Sequence, residues 1–154
     1  MTRVFLGLTT QEGDRLGHLV RGVQMLRSYG EEARVIHYSD VVDWTGRADE
    51  QPLLCCVLEC MSDATLEGLH GICRETQWAL GDEDRVLKVY ILKYGTQKVD
   101  QAPEPLQALL QGKFGPNMTV SEGGPAFAHL CDWGQVAPFD GTDLMGEWPS
   151  ATGR

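Results

Sequence analysis

Lys88 and Tyr90 pose the chemical question in this chain. They stand two apart in the stretch RVLKVYILKYG, residues 85–95. Its residues read as a buried strand. Leu87, Val89 and Ile91 alternate onto one face, while Val86, Lys88, Tyr90, Leu92 and Tyr94 fall on the other. A charge central in an apolar strand either reaches an edge or faces a site. Lys88 either contacts phosphate, supplying part of the charge a metal ion would bring, or snorkels to solvent or into a salt bridge, for which Glu59 on the neighbouring strand is a candidate partner. Arg85 is either a second phosphate contact or a solvated charge at the strand's end. Phe127 is either a platform on which a flat heterocycle stacks or plain core. His18, His37, His70 and His129 have no ligand spacing with each other or with the cysteines, which argues against a shared metal site. Residues 9–15 lack the Gly-Lys-Ser/Thr ending of a phosphate-cradling loop.

The elements that must position these residues fit one domain of 154 residues, enough chain to bury a core. A net charge of −9 argues against general nucleic-acid or anionic-membrane binding, though one local basic pocket suffices for a small anion. No stretch approaches the roughly 20 apolar residues of a membrane span, and the N-terminal apolar run is short for a secretory signal. Cys55, Cys56, Cys60, Cys73 and Cys131 are odd in number and form no C-x-x-C pair, which reads as reduced core thiols. A cytoplasmic location follows as the expectation.

In chain order, residues 3–8 predict a first strand. Leu16, Leu19, Val20, Val23 and Leu26 predict a helix from about 14 to 29, with Gly30 as a left-handed cap. Residues 32–42 predict a second strand and residues 53–61 a third. On the third, Leu54, Cys56, Leu58 and Cys60 should face the core, while Cys55, Val57 and Glu59 look elsewhere. Thr65 caps a second helix running to Leu80, and an acidic turn, Asp82-Glu83-Asp84, feeds the strand that carries Lys88. A short helix over 103–111, a Gly/Pro-rich loop over 112–125, a helical turn over 127–133 and an apolar segment over 136–139 follow. Residues 1–139 form the domain, and 140–154 are expected to be a flexible tail. The order strand-helix-strand, strand-helix-strand is the ferredoxin-like α+β plan: an antiparallel sheet with two helices on one face, here with a C-terminal helical and loop extension.

Laid out this way, the chain resembles the 6-hydroxymethyl-7,8-dihydropterin pyrophosphokinase family of folate biosynthesis over roughly residues 2–140. Val4-Phe-Leu-Gly7 and Gly13-Asp-Arg15 resemble that family's strand–G-S-N-x-G-D-R opening. Gln51-Pro52 and Val57-Leu-Glu59 resemble its Q-P-x-x-N-x-V-x-E pattern, and Ala79-Leu-Gly81 the end of its second helix. Residues 85–95 fall on its R-T-L-D-L-D-I-L-L-Y-G strand. Ala126-Phe127, Leu130 and Val136-Ala-Pro138 resemble its closing A-F-x-x-x-P-L-x-x-I-A-P. The resemblance implies transfer of diphosphate from ATP to a pterin alcohol, with two magnesium ions held by D-x-D.

The departures fall on that chemistry. Lys88 and Tyr90 occupy the D-x-D positions, where an ammonium repels a divalent cation and a phenol is a poor magnesium ligand. Phosphoryl-type transfer depends on positioning and charge neutralisation, so this loss should be crippling. Cys55 stands where the family's pterin-binding asparagine would be, and Leu8 and Thr9 replace the serine and asparagine of G-S-N. The basic loop before the strand is reduced to residues 82–84, and the ATP-contacting histidine and arginine fall near Thr119 and Pro125. Asp43 and Trp44 lie where the pterin loop begins. The expectation is a catalytically degenerate relative, using Cys55, Phe127, Asp43 and Trp44 for a heterocycle and Lys88 and Arg85 for phosphate, or serving as an interaction module for a protein partner. The alternative is an active pyrophosphokinase using magnesium and ATP, with Glu59, Asp82, Glu83 or Asp84 as substitute ligands. A third possibility is an unrelated ferredoxin-like domain of similar layout.

Overall fold

A computed structural model describes residues 1–46, 52–81 and 85–139. The expected acidic turn at 82–84 and tail at 140–154 lie outside the described residues, as does the loop at 47–51. The described residues form a mixed α+β fold built on a mostly antiparallel eight-stranded sheet with four α-helices.

The elements are β1 (Thr2–Thr10), α1 (Arg15–Arg27), β2 (Arg34–Tyr38), β3 (Val42–Trp44), β4 (Leu53–Ser62), α2 (Leu66–Leu80), β5 (Lys88–Tyr94), β6 (Gln97–Lys98), α3 (Glu104–Leu110), β7 (Met118–Val120), α4 (Gly124–Cys131) and β8 (Ala137–Pro138). The main path across the sheet is β6-β5-β1-β4-β2-β8, and β3 joins β4 to β7. Only the β2–β8 pairing is parallel among the described residues.

Local chemistry sets the helix ends. The Asp14 carboxylate accepts from Gly17 N at 3.1 Å, and the Thr65 hydroxyl accepts from Gly68 N at 3.0 Å, each satisfying an amide that the first turn leaves open. Leu19, Val23 and Leu26 of α1 and Leu69, Ile72 and Cys73 of α2 turn one stripe of each helix onto the sheet. With Phe127 and Cys131 of α4 they cover Val4, Leu6, Leu8, Leu54, Cys56, Leu58, Leu87, Val89 and Ile91.

Several expectations are corrected. The two helices α1 and α2 share one face as expected, but the extension adds a helix to the other. Leu106, Leu109 and Leu110 of α3 pack on the opposite side with Phe5, Cys55, Val57, Leu92 and Met118. The strand face that should look elsewhere therefore looks into a second core, and β1 and β4 are apolar runs because both faces are covered. The second strand divides. Ser39 N donates to the Val57 carbonyl and Val57 N donates back to Ser39 Oγ, both at 2.8 Å, so β2 and β3 pair separate stretches of β4. Lys88 opens β5 rather than sitting at its centre. The short strands β6 and β7 lie in stretches whose polar, Gly-rich sequence carries no alternation.

Candidate functional site

Strand register arranges the α3 face of the sheet in three rows. The first holds Lys88, Thr9, Cys55 and Val42, the second Tyr90, Gly7 and Val57, and the third Lys93, Phe5, Glu59 and His37. The β1–β5 register shifts between Phe5 and Leu6. This irregularity turns Lys93 onto the face of Leu92 and returns Tyr94 to the α1 side. α3 covers the middle row, where a Cβ added at Gly7 would meet Leu106 Cδ1 at 2.7 Å.

The first row contains much of what the sequence singles out. Lys88 is half-buried with its Nζ 5.4 Å from the centre of the Tyr90 ring, a cation–π geometry. Trp44 packs on this side beside Cys55. Cys55 is fully buried, and its thiol is pushed up to about 12 by that burial, with the nearby Asp43 charge adding. A protonated thiol sealed in apolar surroundings offers a ligand nothing.

The other expected residues lie apart. Asp43 points to the α1 side, where its carboxylate accepts from Arg15 Nη1 at 3.0 Å; the same nitrogen donates to the Pro52 carbonyl at 2.9 Å. Arg85 is exposed and pairs with Glu12 at 2.7 Å, while its carbonyl accepts from Gln11 N and Glu12 N. Phe127 is 1% exposed in the core across the sheet, edge-on to Trp133 with ring centres 5.9 Å apart. Its platform role is corrected to core, and a cleft walled by both Cys55 and Phe127 is ruled out because the sheet separates them. A Lys88–Glu59 bridge is ruled out as well. Lys88 sits opposite Thr9 and Glu59 opposite Phe5, so they are offset by roughly 13 Å along the strands, with β1 between them.

The third row was missed as a group. Glu59, 5% exposed, accepts from Arg3 Nε and is bonded to His37 Nδ1 at 2.7 Å. Phe139 stacks on His37, with ring centres 5.5 Å apart, and on Phe5 at 6.3 Å; the Arg3 guanidinium lies 4.9 Å over the Phe5 ring. Lys93 is 2% exposed, and burial lowers its pKa, with the Lys98 and Arg3 charges adding. The available signal was Glu59 and Lys93 inside apolar runs. The Arg3–Glu59–His37 group is a clamp across β1, β4 and β2.

Lys88 and Tyr90 do not fit the magnesium that the resemblance implies, and the substitute carboxylates at 82–84 lie outside the described residues. Lys88 and Tyr90 offer no carboxylate, and the described residues contain no group of three His, Cys, Asp or Glu side chains able to hold a metal. A cleft of about 310 Å³ does open on this face, between β5, β6 and α3. Leu92 and Leu110 form its apolar floor, and Lys98, Asp100, Gln101, Gln107 and Gln111 its polar wall. Asp100 Oδ2 accepts from Ile91 N at 2.7 Å and Gln107 Nε2 donates to the Ala102 carbonyl at 2.6 Å, which fixes both side chains and leaves Asp100 Oδ1 and Gln107 Oε1 as acceptors. Compared with known proteins, the chain matches no family model and no curated sequence. No helix among the described residues is long and apolar enough to cross a membrane.

Proposed function

We propose that the chain is a non-catalytic, pyrophosphokinase-like protein that binds a flat polar heterocycle of the pterin or nucleobase type between β5, β6 and α3. The carrying observation is the cleft itself: about 310 Å³, with an apolar floor under a wall of one carboxylate, one ammonium and three amides. That volume is within the range of small-ligand sites. Amide side chains offer donors and acceptors together, which is what the edge of such a ring presents, while Leu92 and Leu110 meet its face.

The layout supports the family reading. The central order β5-β1-β4-β2 is antiparallel throughout, with α1 and α2 on one side, as in a ferredoxin-like βαββαβ plan. Lys88 and Tyr90 support the loss of transfer chemistry, since neither neutralises a triphosphate through a metal. The ligand site is thereby moved along the sheet from the position expected around Cys55.

The test is a thermal-shift and titration panel of pterins and nucleotides, with and without magnesium. The expected result is a stabilising shift that is independent of magnesium and lost in Gln107→Leu. A panel without any shift would reject heterocycle binding and favour an interaction module. Magnesium-dependent AMP release from ATP in the presence of hydroxymethyl-dihydropterin would reject the non-catalytic reading and restore the active enzyme.

A further inference from the structure

A second cleft, of about 410 Å³, lies at the other edge of the sheet. Its origin is geometric. β8 pairs with β2 only at His37 and Tyr38, and the chain before it diverges from Val35 and Ile36. The opening is bordered by Arg27 at the end of α1 and Arg34 at the start of β2.

Arg27 is held in place before any ligand arrives. Its Nη1 donates to the carbonyls of Cys131 at 2.8 Å and Asp132 at 3.3 Å, and its guanidinium lies 5.1 Å over the Trp133 ring. The other face of that ring is taken by Tyr38, at 4.6 Å, so the indole is a wall and not a stacking surface. Arg27 Nη2 and Nε bond no described residue, so a planar fork of donors remains. Ordering that side chain beforehand removes an entropic cost that binding would otherwise carry. Arg34 pairs with Glu31 at 3.9 Å, with both side chains more than half exposed, a pair weak enough for a better anion to displace. Two guanidiniums against one carboxylate make this a basic spot on a chain of net charge −9.

We infer that this cleft binds the oxyanion of a small acid, a phosphate or a carboxylate, with Arg27 as the fixed donor and Arg34 as the closing one. The site is separate from the heterocycle cleft and does not depend on it.

Isothermal titration of the whole chain with inorganic phosphate and, separately, with citrate distinguishes the two sources; potassium chloride at matched ionic strength controls for screening. Saturable binding is expected for at least one of the two anions. Arg34→Gln should weaken it about tenfold, the scale of one charge-assisted bond. Glu31→Gln should tighten it about twofold, because the competing carboxylate is gone. Both positions are exposed, so folding is preserved. A response that chloride reproduces, an unchanged affinity in Arg34→Gln, or weaker binding in Glu31→Gln would each overturn the inference.

Discussion

Glu59 sits at a nearly dry strand position because donors from both flanking strands converge on it, Arg3 from β1 and His37 from β2. A carboxylate there without partners would be costly, and so would the partners without it. Glu59→Ala should therefore lower the unfolding free energy by about 2 kcal/mol, less than for a fully buried pair because Arg3 and His37 each keep 30% of their side chain exposed. Urea unfolding measures this, and a change below about 0.5 kcal/mol would show the clamp to be energetically idle. The cysteines behave in the opposite way. All five are free and buried, so the native protein should be nearly silent to a thiol reagent and show all five groups in guanidinium. Their inertness was legible from the sequence, since thiols scattered through apolar runs pack as small hydrophobes. The role of Lys93 was not. Strict alternation puts it with Val89 and Ile91, and only the irregular pairing at Phe5 and Leu6 brings it to the other face.

At the scale of elements, α1 and α2 were readable because a helical stripe and a capping residue are local signals. α3 was readable as a helix but not as the roof of a second core. Seven residues of apolar periodicity say that a helix packs, not which side of a sheet it packs on. The missing clue was Gly7, which lets Leu106 approach β1 closely. Gly7→Ala should cost about 1–3 kcal/mol, and in a double-mutant cycle with Leu106→Ala the two losses should fall short of additive. Full additivity would mean that α3 does not bear on that strand. The outer edge of β5 has its own device. Gln77 Oε1 accepts from Val89 N at 2.8 Å, and Asp100 Oδ2 accepts from Ile91 N, so side chains occupy amides that a neighbouring strand would use. Gln77→Ala should speed hydrogen exchange at Val89 about tenfold while leaving Ile91 unchanged; equal exchange at Val89 would remove Gln77 from that role.

The whole molecule is a sheet sealed between two apolar layers, and this has a consequence in alkali. The order of elements made the α+β class legible. The site was not, because it depends on which apolar pieces meet on which face, as the separation of Cys55 from Phe127 shows. The same sealing acts on acid–base balance. Burial pushes the thiols of Cys55, Cys73 and Cys131 up to about 12, and those of Cys56 and Cys60 upward as well. The folded chain keeps these protons while the unfolded chain releases them near pH 9, so each thiol's stabilisation is complete below that pH and is lost as pH rises toward the folded value. Lys93 works the other way. Burial lowers its pKa, so the unfolded chain holds its proton longer, and this contribution rises as pH approaches the ordinary lysine value of 10.5. Five thiols outweigh one ammonium. Each thiol forfeits about 1.4 kcal/mol one unit above its unfolded pKa, so the urea midpoint should fall steeply from pH 8 to pH 10. Cys60→Ala should flatten that slope by one thiol's share, even though it lowers stability at neutral pH. A midpoint that holds level or rises over this range would mean that water reaches the thiols and that the two layers are not sealed.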